Sequence, residues 1–307
     1  MPTHSILVTG AGGFVGRHLL PTLTRDLPGF SPIAATADLA DPDAVAEEVR
    51  RVQPRACIHL AAISALGAAR EDPDRAWRVN LHGTLALAHA LLRHAPGCVL
   101  VFASSADAYG ASFRAGRALD EQAPLAPLSL YAATKAAADL ALGALVPDGL
   151  RVVRVRAFNH TGPGQSPHFV VPAFARQAAR IAAGLQAPVV EVGNLDPQRD
   201  FLDVRDVCAA YALCVARADT LPPGAIVNLA SGQPRRIGDV LAQVLREAGV
   251  EAQIQPSAAR QRPSDIPVAY GDASYATERL GWMPHIPWAT TLRDVTAEWR
   301  ERVTIEA

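Results

Sequence analysis

The sequence ILVTGAGGFVG, residues 6–16, is typical of a β-strand, a glycine-rich turn and the start of a helix. Glycines at positions 10, 13 and 16 allow a tight turn, close approach to a pyrophosphate, and close packing of the helix on the sheet. The helix N-terminus then offers free N–H groups and a positive dipole end to the phosphates. The pattern predicts a dinucleotide-binding loop, whose candidate residues are Gly10, Gly12, Gly13, Phe14, Val15, Gly16 and Arg17.

Downstream of this loop, short apolar runs alternate with alanine-rich segments of helical periodicity. Strands are predicted at residues 56–60, 98–103 and 152–156, and helices from about 76 to 94 and from about 131 to 145. Apolar strands separated by helices indicate a parallel sheet covered on both faces. The sequence therefore predicts an α/β fold of the Rossmann type, with a doubly wound parallel sheet.

Beyond residue 158, glycine and proline cluster in loops, as in HTGPGQSP at 160–167. The run IVNL, residues 226–229, is predicted to be a strand that returns to the main sheet. We therefore expect an interleaved boundary between a dinucleotide-binding domain and a smaller C-terminal α/β portion that binds substrate. The first domain is assigned residues 1–158 and about 201–231, and the second residues 159–200 and 232–307.

The composition narrows the class of protein. In 307 residues, the charged fraction of 19% and the formal net charge of −1 give no electrostatic reason to expect nucleic acid or an acidic membrane as a partner. The four cysteines lack CxxC spacing, so we expect free thiols, a reducing compartment and no metal site. The N-terminus does not resemble a signal peptide, and no apolar run reaches the roughly 18 residues of a membrane span. We therefore expect a cytoplasmic protein.

The type of dinucleotide is indicated less directly. SPIAAT, residues 31–36, lacks the carboxylate that commonly binds the adenosine ribose at the end of the second strand. Asp38, followed by Leu39, is positioned either to contact the adenine edge or to begin the next helix with Asp41. Arg17, directly after the third glycine, is positioned to meet a 2′-phosphate. The sequence favours NADP(H) over NAD(H) on this basis.

A second group of residues has the composition of a catalytic site. Tyr131 and Lys135 lie four residues apart in YAATK and therefore share one helical face. An ammonium beside a phenol is expected to lower the pKa of Tyr131 and to stabilise its phenolate. Ser105 follows the predicted strand 98–103, at the carboxyl edge where parallel sheets place their sites. Its hydroxyl is positioned to hydrogen-bond the substrate oxygen that Tyr131 protonates.

Together these motifs resemble the extended short-chain dehydrogenase/reductase family. The resemblance rests on TGxxGxxG at 9–16, HLAA at 59–62, the helix that Asn80 opens, Ser105 and YxxxK. It implies an oxidoreductase in which Ser105, Tyr131 and Lys135 are catalytic and Tyr131 is the general acid/base. It adds the candidate cofactor contacts Asp38, Leu39, Leu60, Ala61, Ala62, Asn80, Tyr131 and Lys135.

The second half is similar to the branch of this family that acts on GDP-sugars. The similarity lies in FNHTGPGQ at 158–165, VGNLDPQRDFLDVRDV at 192–207, RPSDIP at 262–267 and LGWMPHIP at 280–287. Planar arginines suit a nucleoside diphosphate. The resemblance implies nucleotide contacts from Arg199 and Arg262, ribose contact from Asp265, diphosphate contact from Asn159 and a weaker candidate in Arg176. The implied substrate is a GDP-linked 4-keto-6-deoxy sugar, which Ser105 and Asp107 would also contact.

Within that branch, 4-keto reductases and 4,6-dehydratases require different groups. A dehydratase needs a base for the C5 proton, and dehydratases of this kind place a glutamate two residues after the catalytic hydroxyl. This chain has Asp107 there, one methylene shorter, and Ser105 instead of threonine. The substitutions favour a reductase that forms GDP-6-deoxy-D-mannose. A dehydratase or epimerase, and a reductase that forms the C4 epimer GDP-6-deoxy-D-talose, are the alternatives.

The predicted helices also suggest how the chain assembles. LHGTLALAHALL at 81–92 and KAAADLALGALV at 135–146 are apolar around most of their circumference. One sheet face cannot cover that much apolar surface. The family resemblance implies a homodimer in which these helices form a four-helix bundle.

Overall fold

The computed structural model describes residues 4–64, 66–260 and 266–306, and the strands in these ranges form three sheets. Six of the strands are parallel neighbours in the order β2-β1-β3-β4-β5-β9, which is the predicted doubly wound arrangement. The strands are β1 (His4–Thr9), β2 (Phe30–Ala34), β3 (Ala56–His59), β4 (Val99–Ala103), β5 (Arg151–Ala157), β6 (Asn159–Thr161), β7 (Val189–Val192), β8 (Gln198–Asp203), β9 (Ile226–Leu229), β10 (Pro234–Arg236), β11 (Gln253–Pro256) and β12 (Val268–Ala269).

Helices cover both faces of the six-stranded sheet. The α-helices are α1 (Phe14–Asp26), α2 (Pro42–Val52), α3 (Leu66–Glu71), α4 (Pro73–Trp77), α5 (Thr84–His94), α6 (Leu130–Ala144), α7 (Val170–Ala182), α8 (Val204–Ala216), α9 (Ile237–Ala248), α10 (Ser274–Leu280) and α11 (Trp288–Glu306). None of the helices in the described ranges is long and apolar enough to cross a bilayer.

Alternate residues of each central strand enter different hydrophobic clusters. In β1, Ile6 and Val8 pack with residues of α1 and α8, whereas Leu7 packs with residues of α2, α5 and α6. This alternation follows from the two-residue repeat of a strand that is covered on both faces. Strand β9 pairs with β5, which confirms the predicted return of residues 226–229 to the main sheet.

The segment predicted as one helix from about residue 76 to 94 has three parts. Helix α4 starts at Pro73, capped by the Asp72 side chain, and a π-helical segment, Arg78–Gly83, joins it to α5. A Cβ on Gly83 would lie 2.8 Å from the Leu39 carbonyl oxygen, so this glycine permits the close approach of the segment to Leu39. The prediction of a regular helix was wrong here because π-turns leave no mark in apolar periodicity.

A second layer forms the smaller C-terminal portion. Strand β8 pairs with β6, β10 and β12, and β7 pairs with β11. Helices α7, α9 and α11 pack on these strands around a separate hydrophobic cluster. Leu202, near the end of β8, contributes to the main-sheet cluster instead, so the two portions share a continuous apolar contact.

A buried ion network joins α6 to the main sheet. The fully buried Asp139 carboxylate accepts hydrogen bonds from Ser104 Oγ (2.7 Å), from Arg156 Nε (3.0 Å) and Nη2 (2.9 Å), and from Arg154 Nη1 (3.2 Å). Ser104 follows β4, and both arginines belong to β5. A buried charge requires this degree of pairing.

Replacement of Asp139 by asparagine should therefore lower the free energy of unfolding by about 3–5 kcal/mol, because it leaves the buried Arg156 guanidinium uncompensated. Urea unfolding followed by circular dichroism measures the change. The exposed Asp148, near the end of the same helix, provides the control, and Asp148→Asn should shift stability by less than about 0.5 kcal/mol. Equal stability of the two variants would contradict the role of the network.

Candidate active site

The glycine-rich loop lies at the point where the strand order reverses, between β1 and its neighbour β3. Gly10 has φ of +69°, and a Cβ on it would lie 2.8 Å from the Ala61 nitrogen, so the loop packs directly on the segment that follows β3. A Cβ on Gly16 would lie 2.5 Å from the Gly10 carbonyl oxygen. Glycine at both positions is thus required by backbone contact, and this edge is where doubly wound sheets bind ligands.

The start of α1 suits a pyrophosphate. Its N-cap residue is Gly13, which offers no side-chain cap, so the first-turn N–H groups have no side-chain acceptor from that residue. The glycine-rich loop and the uncapped N-terminus of α1 therefore fit the phosphates of a dinucleotide. Leu60, Ala61 and Ala62 form the facing wall after β3, each partly exposed.

Two predicted cofactor contacts near this loop face the C-terminal portion. Arg17 Nη2 donates to the Gly164 carbonyl oxygen at 3.1 Å, and the Phe14 ring stacks on His160 with centroids 6.3 Å apart. The next residue, His18, hydrogen-bonds the Pro163 carbonyl oxygen through Nε2 at 2.7 Å. The Arg17 guanidinium is exposed and uses one nitrogen in this contact, so its predicted role at a 2′-phosphate stays a prediction.

The segment after β2 is held in place by hydrogen bonds to a side chain of α2. Glu48 accepts hydrogen bonds from the Thr36 and Ala37 nitrogens, at 2.9 and 3.1 Å, and from Thr36 Oγ1 at 3.0 Å. Asp41 rather than Asp38 caps α2, and the predicted contact of Asp38 with the adenine edge stays a prediction. Asp38 remains exposed and accepts from the Ala40 nitrogen in a local turn. The Leu39 side chain is buried in the core, so any cofactor contact from it would involve its backbone.

Ser105, Tyr131 and Lys135 converge at the carboxyl end of β4. The Tyr131 phenol lies near enough to Ser105 for the serine side chain to affect its pKa. The ammonium of Lys135, a residue that is only 3% exposed, donates to the Ala103 carbonyl oxygen at 2.6 Å. Helix α6 begins at the Ser129 cap, so that Tyr131 lies in its first turn and Lys135 one turn further. The three residues predicted to be catalytic are therefore brought together.

The protonation of this group differs from the prediction. Burial raises the pKa of Tyr131, the Asp107 charge raises it further, and the neighbouring Ser105 side chain only partly opposes these two effects. Burial lowers the pKa of Lys135 to about 8, against the opposing charge of Asp139. The expected lowering of the Tyr131 pKa was wrong, because desolvation raises this pKa and the Asp107 charge acts in the same direction. Tyr131 is thus a protonated phenol at neutral pH and can donate a proton.

The His59 ring lies between two threonine hydroxyls, with Nδ1 2.6 Å from Thr9 Oγ1 and Nε2 2.9 Å from Thr84 Oγ1. The Thr84 hydroxyl donates to the Asn80 carbonyl oxygen, so we assign the ring proton to Nε2. Burial, together with the charge of Lys135, lowers the pKa of His59 to about 3. The ring is therefore neutral and serves to hold β1, β3 and α5 together.

The Asn80 amide, predicted to contact the cofactor, is occupied by the protein. Its Oδ1 accepts from the Ile63 nitrogen at 2.8 Å, and its Nδ2 donates to the Ile63 oxygen at 3.2 Å and to Thr134 Oγ1 at 3.0 Å. Both amide protons are used within the protein, and the predicted cofactor contact of Asn80 stays a prediction. Asn80 instead fixes the segment after β3 to the helix that carries Tyr131.

The predicted substrate contacts are only partly brought together. Asp107 is exposed and lies two residues after Ser105. Desolvation by the surrounding protein raises the pKa of its carboxyl group, and the charge of Arg199 opposes this shift. Arg199 lies in β8, and Asn159 is exposed in β6, which pairs with β8. Arg176 is exposed on α7. Two further candidates, Arg262 and Asp265, lie outside the described residues.

The sequence did not reveal the buried residues that support the catalytic side chains through hydrogen bonds. Thr9, Thr84 and Thr134 orient His59 and Asn80, while Asp139 anchors α6. Each acts on a partner many positions away in the chain, and no spacing rule relates them. Only Asp139 could have been found from the sequence, because it lies four residues after Lys135 and therefore on the same face of the helix.

Residues 6–230 match the NAD dependent epimerase/dehydratase family, and the chain belongs to it. This confirms the predicted family, the extended short-chain dehydrogenases/reductases, and the class of enzyme. The chain is 36% identical to the GDP-6-deoxy-D-mannose reductase of Pseudomonas aeruginosa, covering 99% of this chain and 100% of the relative. It is 30% identical to the UDP-glucose 4-epimerase of Streptomyces lividans, covering 91% of each.

Solved structures give the same result for the fold. The structure of RMD from Pseudomonas aeruginosa complexed with NADPH has a TM-score of 0.90 and 35% identity, covering 98% of this chain and 100% of that one. The Thermus thermophilus UDP-glucose 4-epimerase complex with NAD has a TM-score of 0.83 and 28% identity, covering 96% and 99%. The predicted Rossmann-type fold is confirmed.

Replacement of Gly16 by alanine should abolish measurable binding of NADPH and NADH, because the added methyl group would collide with the loop backbone and displace α1. Fluorescence titration of the reduced nicotinamide measures binding. Gly29, where a Cβ meets nothing within 4 Å, provides the control, and Gly29→Ala should bind like wild type. Unchanged affinity in Gly16→Ala would refute the assignment of the loop as the cofactor cradle.

Proposed function

We propose that this chain catalyses the NAD(P)H-dependent reduction of the C4 keto group of GDP-4-keto-6-deoxy-D-mannose to GDP-6-deoxy-D-mannose, also called GDP-D-rhamnose. The observation that carries the proposal is the convergence of the Tyr131 phenol, Ser105 and the buried Lys135 at the carboxyl end of β4. Reduction of a ketone needs a proton donor beside the carbonyl oxygen. The full-length similarity to a GDP-6-deoxy-D-mannose reductase supports the choice of substrate.

In this mechanism the nicotinamide dinucleotide, when bound along the glycine-rich loop, supplies the hydride. Tyr131 transfers its phenolic proton to the oxygen at C4, and the Ser105 hydroxyl holds that oxygen by a hydrogen bond. Lys135 stabilises the phenolate left on Tyr131 and is positioned to hold the nicotinamide ribose. Its ammonium is directed by the Ala103 carbonyl oxygen, which lies at the end of β4.

We propose NADPH as the preferred cofactor. The support is the NADPH complex of the similar Pseudomonas aeruginosa structure, rather than the position of Arg17. Residues 31–36, SPIAAT, contain no acidic side chain to repel a 2′-phosphate, and Thr36 is exposed after the end of β2.

We further propose that the enzyme acts in the cytoplasm. Its four cysteines are free and buried, as is usual in a reducing compartment.

The reaction can be tested with purified protein, GDP-4-keto-6-deoxy-D-mannose and either NADPH or NADH, by following absorbance at the reduced nicotinamide band. We expect stoichiometric oxidation, faster with NADPH, and a Tyr131→Phe variant slowed by about 10²–10⁴-fold because it lacks the proton donor. Tyr275→Phe, which removes a hydroxyl on α10 outside the site, should retain wild-type turnover.

Product NMR then assigns the configuration at C4, because the same catalytic residues could serve hydride transfer to either face of the carbonyl. Net conversion of GDP-D-mannose to the keto-sugar without consumption of NADPH would instead identify a dehydratase in which Asp107 serves as the base. Near-normal turnover by Tyr131→Phe would overturn the proposed proton donor.

We also propose that the enzyme is a homodimer joined by a four-helix bundle of α5 and α6 from each subunit. The inner faces of these helices, including Leu91 and Leu142, are buried in the core. On the outer face of α6, Leu140 is 59% exposed, and several neighbouring alanines are partly exposed. Such a surface is typical of an interface.

Light scattering at micromolar concentration should therefore give the mass of a dimer, and Leu140→Asp should give a monomer, because a carboxylate would be desolvated in the bundle. Replacement of the exposed Leu128, which precedes α6, by aspartate provides the control and should leave the mass unchanged. A monomeric wild-type protein would contradict the proposal.

A further inference from the structure

Two arginines stand side by side on the second sheet. Strands β8 and β10 are antiparallel, and their register places Arg235 directly opposite Arg199. Residues opposite each other in an antiparallel pair project from the same face, with Cβ atoms roughly 4.5–5.5 Å apart. Two positive side chains at that separation repel each other, and such a pair suits a ligand with concentrated negative charge.

The aromatic neighbours fix where Arg235 lies. Phe201, two residues after Arg199 on the same face of β8, stacks on Trp288 at the start of α11, with centroids 5.5 Å apart. The Arg235 guanidinium carbon lies 5.1 Å from the centre of that Trp288 ring. The indole is itself held by a hydrogen bond from Nε1 to Gln243 Oε1 at 2.8 Å. Cation–π contact thus anchors one side of the guanidinium and leaves its N–H groups to other partners.

Those N–H groups are poorly satisfied by the protein. Arg235 Nε is buried with no hydrogen-bond partner, and the Nη contacts to Gln233 are long, at 3.4–3.5 Å. Within the part of the chain that the structure describes, Arg235 forms no ion pair with a carboxylate. The next residue behaves differently, since Arg236 pairs with Asp196 at 2.6 Å. A buried donor without a partner calls for an explanation, and a bound anion supplies one.

The position of Arg199 relates this face to the catalytic cleft. Its charge acts on Asp107, two residues after Ser105, so the start of β8 lies close to the carboxyl end of β4. A ligand that extends from Ser105 past Asp107 would reach Arg199 first and Arg235 beside it. In the proposed substrate, the diphosphate is the strongly negative group that follows the sugar.

We propose that Arg235 binds the diphosphate of the nucleotide-sugar together with Arg199, as a second cationic residue of the substrate site. This inference rests on the proposed function for the identity of the substrate. Two planar guanidinium groups can each hold phosphate oxygens through paired N–H donors, and the phosphates offset the repulsion between the arginines. Trp288 preorganises Arg235 for this role.

The test is calorimetric titration of the full-length protein with GDP, UDP, dTDP and guanosine, with Arg235→Gln and the matched control Arg236→Gln. Arg235→Gln should weaken nucleoside diphosphate binding by about 10- to 100-fold, the effect of losing charge-assisted hydrogen bonds. It should raise the KM for the nucleotide-sugar similarly and leave kcat within about threefold. Arg236→Gln should bind as wild type does, and Arg235→Lys should recover part of the affinity.

NADPH titration of each variant reports whether it has folded, and guanosine should bind all of them equally because it lacks phosphate. Equal GDP affinity in Arg235→Gln and Arg236→Gln would overturn the inference. If UDP or dTDP binds wild type and GDP does not, the proposed GDP-sugar substrate fails, and that nucleotide then tests Arg235 in the same way. If no nucleoside diphosphate binds wild type, both proposals fail.

Discussion

Burial of the Asp139 carboxylate is the constraint on which the geometry of the site depends. A charge removed from water must be paired and hydrogen-bonded, and this one is satisfied only when α6 is docked against both β4 and β5. Ser104, one residue before Ser105, is held by the same carboxylate. Two turns of one helix and the end of one strand are thereby fixed together, and Tyr131, Lys135 and Ser105 lie at that junction.

The same burial sets the protonation of the site. Desolvation disfavours charge on either group, so it raises the pKa of Tyr131 and lowers that of Lys135. The Asp139 carboxylate, one turn beyond Lys135, opposes the second of these shifts. A protonated phenol is suited to donate its proton to a carbonyl oxygen that gains charge during reduction.

Much of the fold could be predicted because strands and helices of the main sheet have clear periodicities, and because glycine at position 16 is dictated by local backbone contact. The YxxxK spacing placed Tyr131 and Lys135 correctly for the same reason, since it is local. Features set by distant partners were not accessible. The π-helical segment around Asn80 depends on packing against Leu39, and the engagement of Arg17 depends on a loop 147 residues away.

Two further features could not be predicted from the sequence: the pKa of Tyr131 and the pairing of residues across neighbouring strands. Burial moves the Tyr131 pKa in the direction opposite to the expectation, and burial cannot be inferred from a helical spacing. Arg235 was not singled out, because its significance comes from a strand register that places it opposite Arg199. The short strands β6 and β8 carry little periodic signal, and the resemblance alone pointed to Asn159 and Arg199 within them.

The Glu48 carboxylate has a consequence for how such an enzyme can diversify. It supports the segment after β2 by binding two main-chain nitrogens, so the course of that segment depends little on the side chains it displays. Substitution at the exposed position 36 would sacrifice a single hydroxyl contact and leave the backbone anchored. The side chains displayed by this segment can therefore vary at little cost to the stability of the fold.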